Sequence, residues 1–223
     1  MNRRWLKNIT IFLSVLGPSV ITTMAGNDGA GVITYATAGA RLGYAILFIL
    51  PILTILYAVT QETGSRIAIV TGKGLGDLIR ERFGIRIAML VFVALIIANF
   101  GTVITDIAAL KVAAEMLHIQ SIPFVLITIV FCFIIVTMTK YEKSQKIFLC
   151  GIFFYFVYIF AAIMGRPNWG QTLTAMVIPK SSILTKDYLF VSIAVLGTTV
   201  APWGQFFIQS YMKDKNISIR RLK

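Results

Sequence analysis

The chain has 223 residues, 57% of them hydrophobic and 13% charged, with a formal charge of +12 and a mean hydropathy of +0.83. Soluble domains carry about 25% charged residues, so this composition excludes a water-soluble globular protein. The basic excess is read as marking cytoplasmic loops of a membrane protein rather than a nucleic-acid partner, and Cys132 and Cys150 lack the spacing of a disulfide pair or zinc site.

In chain order, Arg3, Arg4 and Lys7 precede the first apolar run. No small-residue cleavage site ends that run, so it reads as a retained span and not a secretory signal. The expected spans are 9–41, interrupted near 26–31, then 44–70, 87–117, 122–138, 147–164, and 187–211, interrupted near 201–204. Segments 122–138 and 147–164 hold no charged residue and approach the roughly 20 residues that cross a bilayer. With the N-terminus in the cytoplasm, Lys73, Arg80, Arg82, Arg86, Lys140, Lys143, Lys146 and the basic C-terminal end all fall inside. Arg41, Arg166, Lys180 and Lys186 are left outside, which is the positive-inside asymmetry of a plasma-membrane protein. The outer loop after Gly165, with Pro167, Trp169 and Pro179, reads as an interfacial connection.

The first interruption reads Ala25-Gly26-Asn27-Asp28-Gly29-Ala30-Gly31. Each glycine in a helix costs about 1 kcal/mol relative to alanine, so three close together favour unwinding. Unwound carbonyls at membrane depth belong where they line a cavity, and Asp28 adds a carboxylate that costs about 2.5–3.5 kcal/mol to insert. Carbonyls with one carboxylate suit a hard cation. The second interruption reads Thr198-Thr199-Val200-Ala201-Pro202-Trp203-Gly204-Gln205. Pro202 has no N–H for the carbonyl of Thr198, and Gln205 supplies an amide able to hold an ion or its water. Each motif alone has a plainer reading, a glycine packing site or a proline kink. Interruptions confined to the first and sixth spans match the corresponding positions of inverted-repeat transporters.

Asp106, deep in the third span near Asn99 and Thr102, reads either as a pathway acid or as a hydrogen-bonded structural one. Glu62 and Arg66, and Lys111 and Glu115, stand four apart and can pair along their helices. Thr22 and Thr23 read as packing hydroxyls, and His118 as a loop residue. No set of serine, cysteine or histidine has catalytic spacing, so an enzyme is not expected.

Gly17-Pro18, Asp28, Ala38-Gly39, Gly43-Tyr44 and the segment from Arg66 through Thr71-Gly72-Lys73-Gly74 together resemble the NRAMP family of divalent-metal transporters across essentially the whole chain. That resemblance implies an all-α polytopic transmembrane bundle. It corresponds to the N-terminal part of a five-plus-five, LeuT-like inverted repeat with broken first and sixth helices. The expected domain is a single incomplete one over 1–223, whose second-repeat helices come from elsewhere. The family carries Asp-Pro-Gly-Asn in its first broken helix and Met-Pro-His-Asn in its sixth. Here those positions read Asp28-Gly29-Ala30-Gly31 and Ala201-Pro202-Trp203-Gly204. The implied metal set is therefore Asp28, the carbonyls of Ala25 and Thr198, and Ala201 as a carbonyl or lining residue, beside Gln205 from the reading above. Gly31, Trp203 and Asp106 would line the pathway or stand behind the ligands.

The departures from the family pattern carry information. Ala201 replaces a soft methionine sulfur, leaving oxygen donors that favour a harder ion. Mg²⁺ keeps several waters and touches one or two carboxylates, so the pattern is similar to that of the NRAMP-related magnesium transporters. Trp203 and Ala109 replace two groups associated with family proton transfer, which argues against tight proton coupling. The expected function is divalent-cation transport, of Mg²⁺ or Mn²⁺ with Fe²⁺ a lesser candidate. The transported ion is the only small partner, no cofactor is expected, and the bilayer is the solvent. The alternatives are a cation-coupled carrier of a small organic solute, which Asp28 disfavours if that solute is anionic, and a non-transporting truncated membrane protein.

Overall fold

The structure, a computed structural model, describes residues 26–138, 152–179 and 185–214. They are helical throughout their regular parts, with no strand among the described residues. The helices are α1 (Gly29–Leu42), α2 (Ile49–Thr71), α3 (Leu75–Phe83), α4 (Ile85–Met116), α5 (Ser121–Met138), α6 (Ile152–Met164), α7 (Trp169–Val177), α8 (Lys186–Thr199) and α9 (Pro202–Asp214). A 3₁₀ helix, Gly43–Phe48, joins α1 to α2. Among the described residues, four stretches are long and apolar enough to cross a membrane: Gly29–Thr71, Ile85–Met116, Ser121–Met138 and Lys186–Lys213. The expected upstream part of the first span, and the stretch around Lys140 to Lys146, lie outside the described residues, as do Gly17, Pro18, Thr22, Thr23, Ala25 and Cys150.

The residues form two compact units. One comprises 29–109 with 168–179 and 185–214. Its core is Ala38, Ile46, Leu53, Val191 and Val195, closed by Leu42, Ile49 and Leu50, so α1, the 3₁₀ helix, α2 and α8 share one apolar interior. A second cluster, Ala68, Ile208 and Met212, fastens α2 to α9. Gly64 lies at this contact, where a β-carbon would just reach van der Waals distance, 3.4 Å from Ile208 Cγ2, and a larger side chain would not fit. Small residues at such contacts let membrane helices pack through main-chain proximity, since lipid offers no hydrophobic drive between them.

Turns in this unit follow local chemistry. Gly72, at φ 66°, caps α2 by donating to the Ala68 carbonyl at 2.8 Å, a left-handed position that glycine adopts without strain. Asn168 and Thr185 cap α7 and α8, their side-chain oxygens accepting from the N–H of Gln171 (3.1 Å) and Tyr188 (3.2 Å). The short helix α3 has no buried residue and is tied down by charge. Asp77 meets Lys213 of α9 at 3.5 Å and Arg80 at 3.7 Å, while Lys73 meets Glu81 at 2.7 Å. Glu62 and Arg66 pair along α2 as their spacing predicts.

The other unit comprises 26–28, 110–138 and 152–167. Lys111 and Glu115 pair at 3.8 Å, and the Tyr158 hydroxyl donates to Asn27 Oδ1 at 3.1 Å. His118 ends α4 at φ 56°. The Ile119 N–H reaches the Ala114 carbonyl (2.9 Å) and the His118 N–H reaches Glu115 (3.1 Å), the paired bonds of a Schellman stop. In the part of α4 that belongs to the first unit, large apolar side chains such as Leu90, Ile97, Phe100 and Ile104, each 66–70% exposed, recur at helical spacing and make an outward face suited to hydrocarbon.

Candidate cation site

The described residues show a break between α8 and α9 and the start of α1 after Asp28; the part of the first span before Gly26 lies outside them. At the first predicted interruption, Gly26, Asn27 and Asp28 are outside any helix and α1 begins at Gly29. At the second, α8 ends at Thr199, Val200 leaves the helical region at φ −109°, ψ 55°, and α9 restarts at Pro202. The proline falls on the first helical position, where its missing N–H costs nothing. Its effect is felt behind it, at the Thr198 carbonyl, to which it cannot donate. The Ala201 carbonyl accepts from the Gly204 N–H at 3.1 Å and keeps a second lone pair.

α1 and α8 are packed together through Ala38, Val191 and Val195, and two links set their direction. Arg41 at the end of α1 pairs with Asp187 at the start of α8 at 3.6 Å. Toward the other end, the Tyr35 hydroxyl lies 2.7 Å from Thr199 Oγ1, which itself donates to the Val195 carbonyl at 2.5 Å. The Thr199 proton being committed, Tyr35 is the donor. The two helices therefore run antiparallel, and the N-terminal end of α1 lies on the same side of the pair as the C-terminal end of α8. The last carbonyls of α8 carry the negative end of its dipole, which a cation would meet.

Asp106 on α4 reaches this region. Its Oδ1 accepts the Ala30 N–H at 2.8 Å, and Ala30 and Gly31 are buried. Gln205 is held toward α2, its Nε2 donating to Thr60 Oγ1 at 3.4 Å and its Oε1 facing Gly64. Trp203 is half-buried and begins an aromatic row, with Phe207 at 6.3 Å and Tyr211 at 5.7 Å from Phe207. Asp106 and Gly31 thus stand at the start of α1, while Thr198, Ala201, Trp203 and Gln205 stand around the second break. Sequence reasoning did not single out Tyr35 or its pairing with Thr199; a tyrosine four residues past a predicted break is a usable signal only once the helix pairing is known. Among the described residues, no three His, Cys, Asp or Glu side chains cluster, so a cation here would take main-chain oxygens beside isolated carboxylates.

An all-helical chain whose described residues include four stretches long and apolar enough to cross a membrane defines the class of polytopic helical membrane proteins. The family model for Nramp, described as natural resistance-associated macrophage protein-like, matches residues 19–223. The chain belongs to the Nramp family. It is also similar to curated proteins named divalent metal cation transporter MntH from Staphylococcus aureus: 28% identical over 215 residues in strain Mu3 and 27% in strain JH9. Each match covers 93% of this chain and 47% of the relative, so the chain spans about half the length of the curated relatives it matches.

Proposed function

We propose that the chain forms part of a carrier for divalent cations, Mg²⁺ or Mn²⁺ ahead of Fe²⁺, in which Asp28 is the charged ligand. Main-chain oxygens of Ala25, Thr198 and Ala201 complete the protein's share of the coordination. Gln205 acts through its amide or a bound water after turning from Thr60, and Gly31 and Trp203 line the path. The observation that carries the reading is the antiparallel pairing of α1 with α8, which puts the end of α8, rich in carbonyl oxygen, on the side where α1 follows Asp28. The names of the relatives support the substrate class. The lack of a soft sulfur at Ala201 supports a harder ion.

The ion crosses by alternating access, with further helices supplied from outside these residues completing the path. The distribution of Lys and Arg supports a cytoplasmic N-terminus, and the bacterial relatives support the plasma membrane. The test is uptake of Mg²⁺, Mn²⁺ and Ca²⁺ into proteoliposomes by the chain alone and by the chain joined to its neighbouring coding sequence. The expected result is Mg²⁺ or Mn²⁺ uptake that Asp28→Ala abolishes. Uptake indifferent to Asp28→Ala, or none in either form, would overturn the reading.

A further inference from the structure

The first turn of α1 is held from outside its own helix. The leading N–H groups of a helix have no partner one turn back, and where the start is buried they must find acceptors elsewhere. Ala30, 8% exposed, finds one in Asp106 Oδ1, 76 positions along the chain. A carboxylate accepting from a helix-start N–H makes a charge-assisted bond and meets the positive end of the helix dipole.

The bond requires α4 to come close to the α1 main chain, and two small residues permit this. A β-carbon on Gly29 would stand 2.7 Å from Ala109 Cβ and 3.3 Å from Asp106 Oδ1, the first a separation that side-chain carbons do not tolerate. Asp106 and Ala109 are three apart on α4 and so share one face. Any side chain at position 29 would displace the surface that carries the carboxylate.

We propose that Asp106 is a positioning residue for the cation site. It locks the start of α1, and Gly29 with Ala109 form the size-matched pair that lets it reach. The purpose of the lock rests on the metal-carrier reading. Its geometry rests on the Ala30–Asp106 bond alone. Asp28 is separated from Ala30 by one glycine, so fixing the Ala30 peptide limits the orientations open to the Asp28 main chain. Released, a break holding Gly26, Gly29 and Gly31 has little preference of its own, and the ligand is spread over many arrangements that bind metal poorly.

Amide hydrogen exchange on the full chain in lipid nanodiscs, without metal, reads the lock directly, and Mn²⁺ titration of the same samples reads its purpose. Asp106→Ala is expected to speed exchange across residues 29–33 about tenfold, to leave 186–199 unchanged, and to weaken Mn²⁺ binding severalfold. Asp106→Asn keeps an oxygen acceptor and should fall nearer the parent. Alanine is the better helix former, so faster exchange in Gly29→Ala would report the collision, and adding Ala109→Gly should restore slow exchange. Unchanged exchange in Asp106→Ala, equal acceleration in 186–199, or no rescue by Ala109→Gly would overturn the lock. Shifted exchange with unchanged Mn²⁺ binding would overturn its positioning role. Parent Mn²⁺ binding that ignores Asp28→Ala would overturn the metal-carrier reading instead, with the exchange pattern still deciding the lock.

Discussion

At Ala201 a single methyl stands between α8 and α9, and under the proposed function its size sets which donors a cation would meet there. Ala201→Met would bring a thioether toward the break, and soft ligands favour softer metals. The expected outcome is a several-fold rise in Cd²⁺ or Mn²⁺ uptake relative to Mg²⁺, measured by competition in proteoliposomes. A second residue-scale prediction concerns stability. His118 holds a left-handed conformation at φ 56° in the helix stop after α4, a position where a β-carbon is penalised. His118→Gly should stabilise the protein by about 0.5 kcal/mol, seen as a small rise in Tm by circular dichroism in detergent. The sequence marks His118 as a loop residue; its role as the stop needs the dihedral, because histidine carries no left-handed signature comparable to glycine.

At the scale of elements, the fold turns on two helix pairs. Gly64 lies where α2 meets α9, with 3.4 Å between its absent β-carbon and Ile208. Gly64→Leu would force that contact apart at a cost of about 1–3 kcal/mol, read from thermal unfolding, with the α2–α9 segments losing exchange protection first. The α1–α8 pair is tied by Tyr35 and Thr199. Tyr35→Phe removes the donor while Thr199 keeps its own bond to Val195, so the loss should be about 1 kcal/mol and should loosen exchange near residues 195–199. Much of this layer was legible in advance. Helices α4 and α5 fall on the apolar runs read at 87–117 and 122–138, and proline marks the break between α8 and α9. The 3₁₀ helix at Gly43–Phe48 and the short helices α3 and α7 were not expected. Six to nine residues give too little hydrophobic period to separate a helix from a loop; charge pairs hold α3, the Asn168 cap holds α7, and burial of Ala45 and Ile46 holds the 3₁₀ helix.

On the scale of the whole molecule, composition alone identified a membrane protein, and the exposed Leu, Ile and Phe of α4 and α5 agree with it. What composition could not supply was the juxtaposition of elements distant in sequence: Asp106 with Ala30, Tyr35 with Thr199, Gln205 with Thr60. These bonds span 76, 164 and 145 residues and leave no local pattern, because an acceptor on α4 reads the same whether it meets lipid, water or a helix start. The chain matches relatives about twice its length, and its pathway is proposed with that in view.

The central claim is that the unwound stretches of two paired helices make one cation site whose charge is Asp28. Mn²⁺ binding to the purified chain in nanodiscs, followed by loss of the free-ion electron paramagnetic resonance signal, tests it most directly. The account predicts saturable binding that Mg²⁺ displaces and that Asp28→Ala weakens by at least about tenfold, the scale of one lost charge-assisted ligand. Binding of equal strength in Asp28→Ala, or binding that Mg²⁺ leaves untouched, would contradict it.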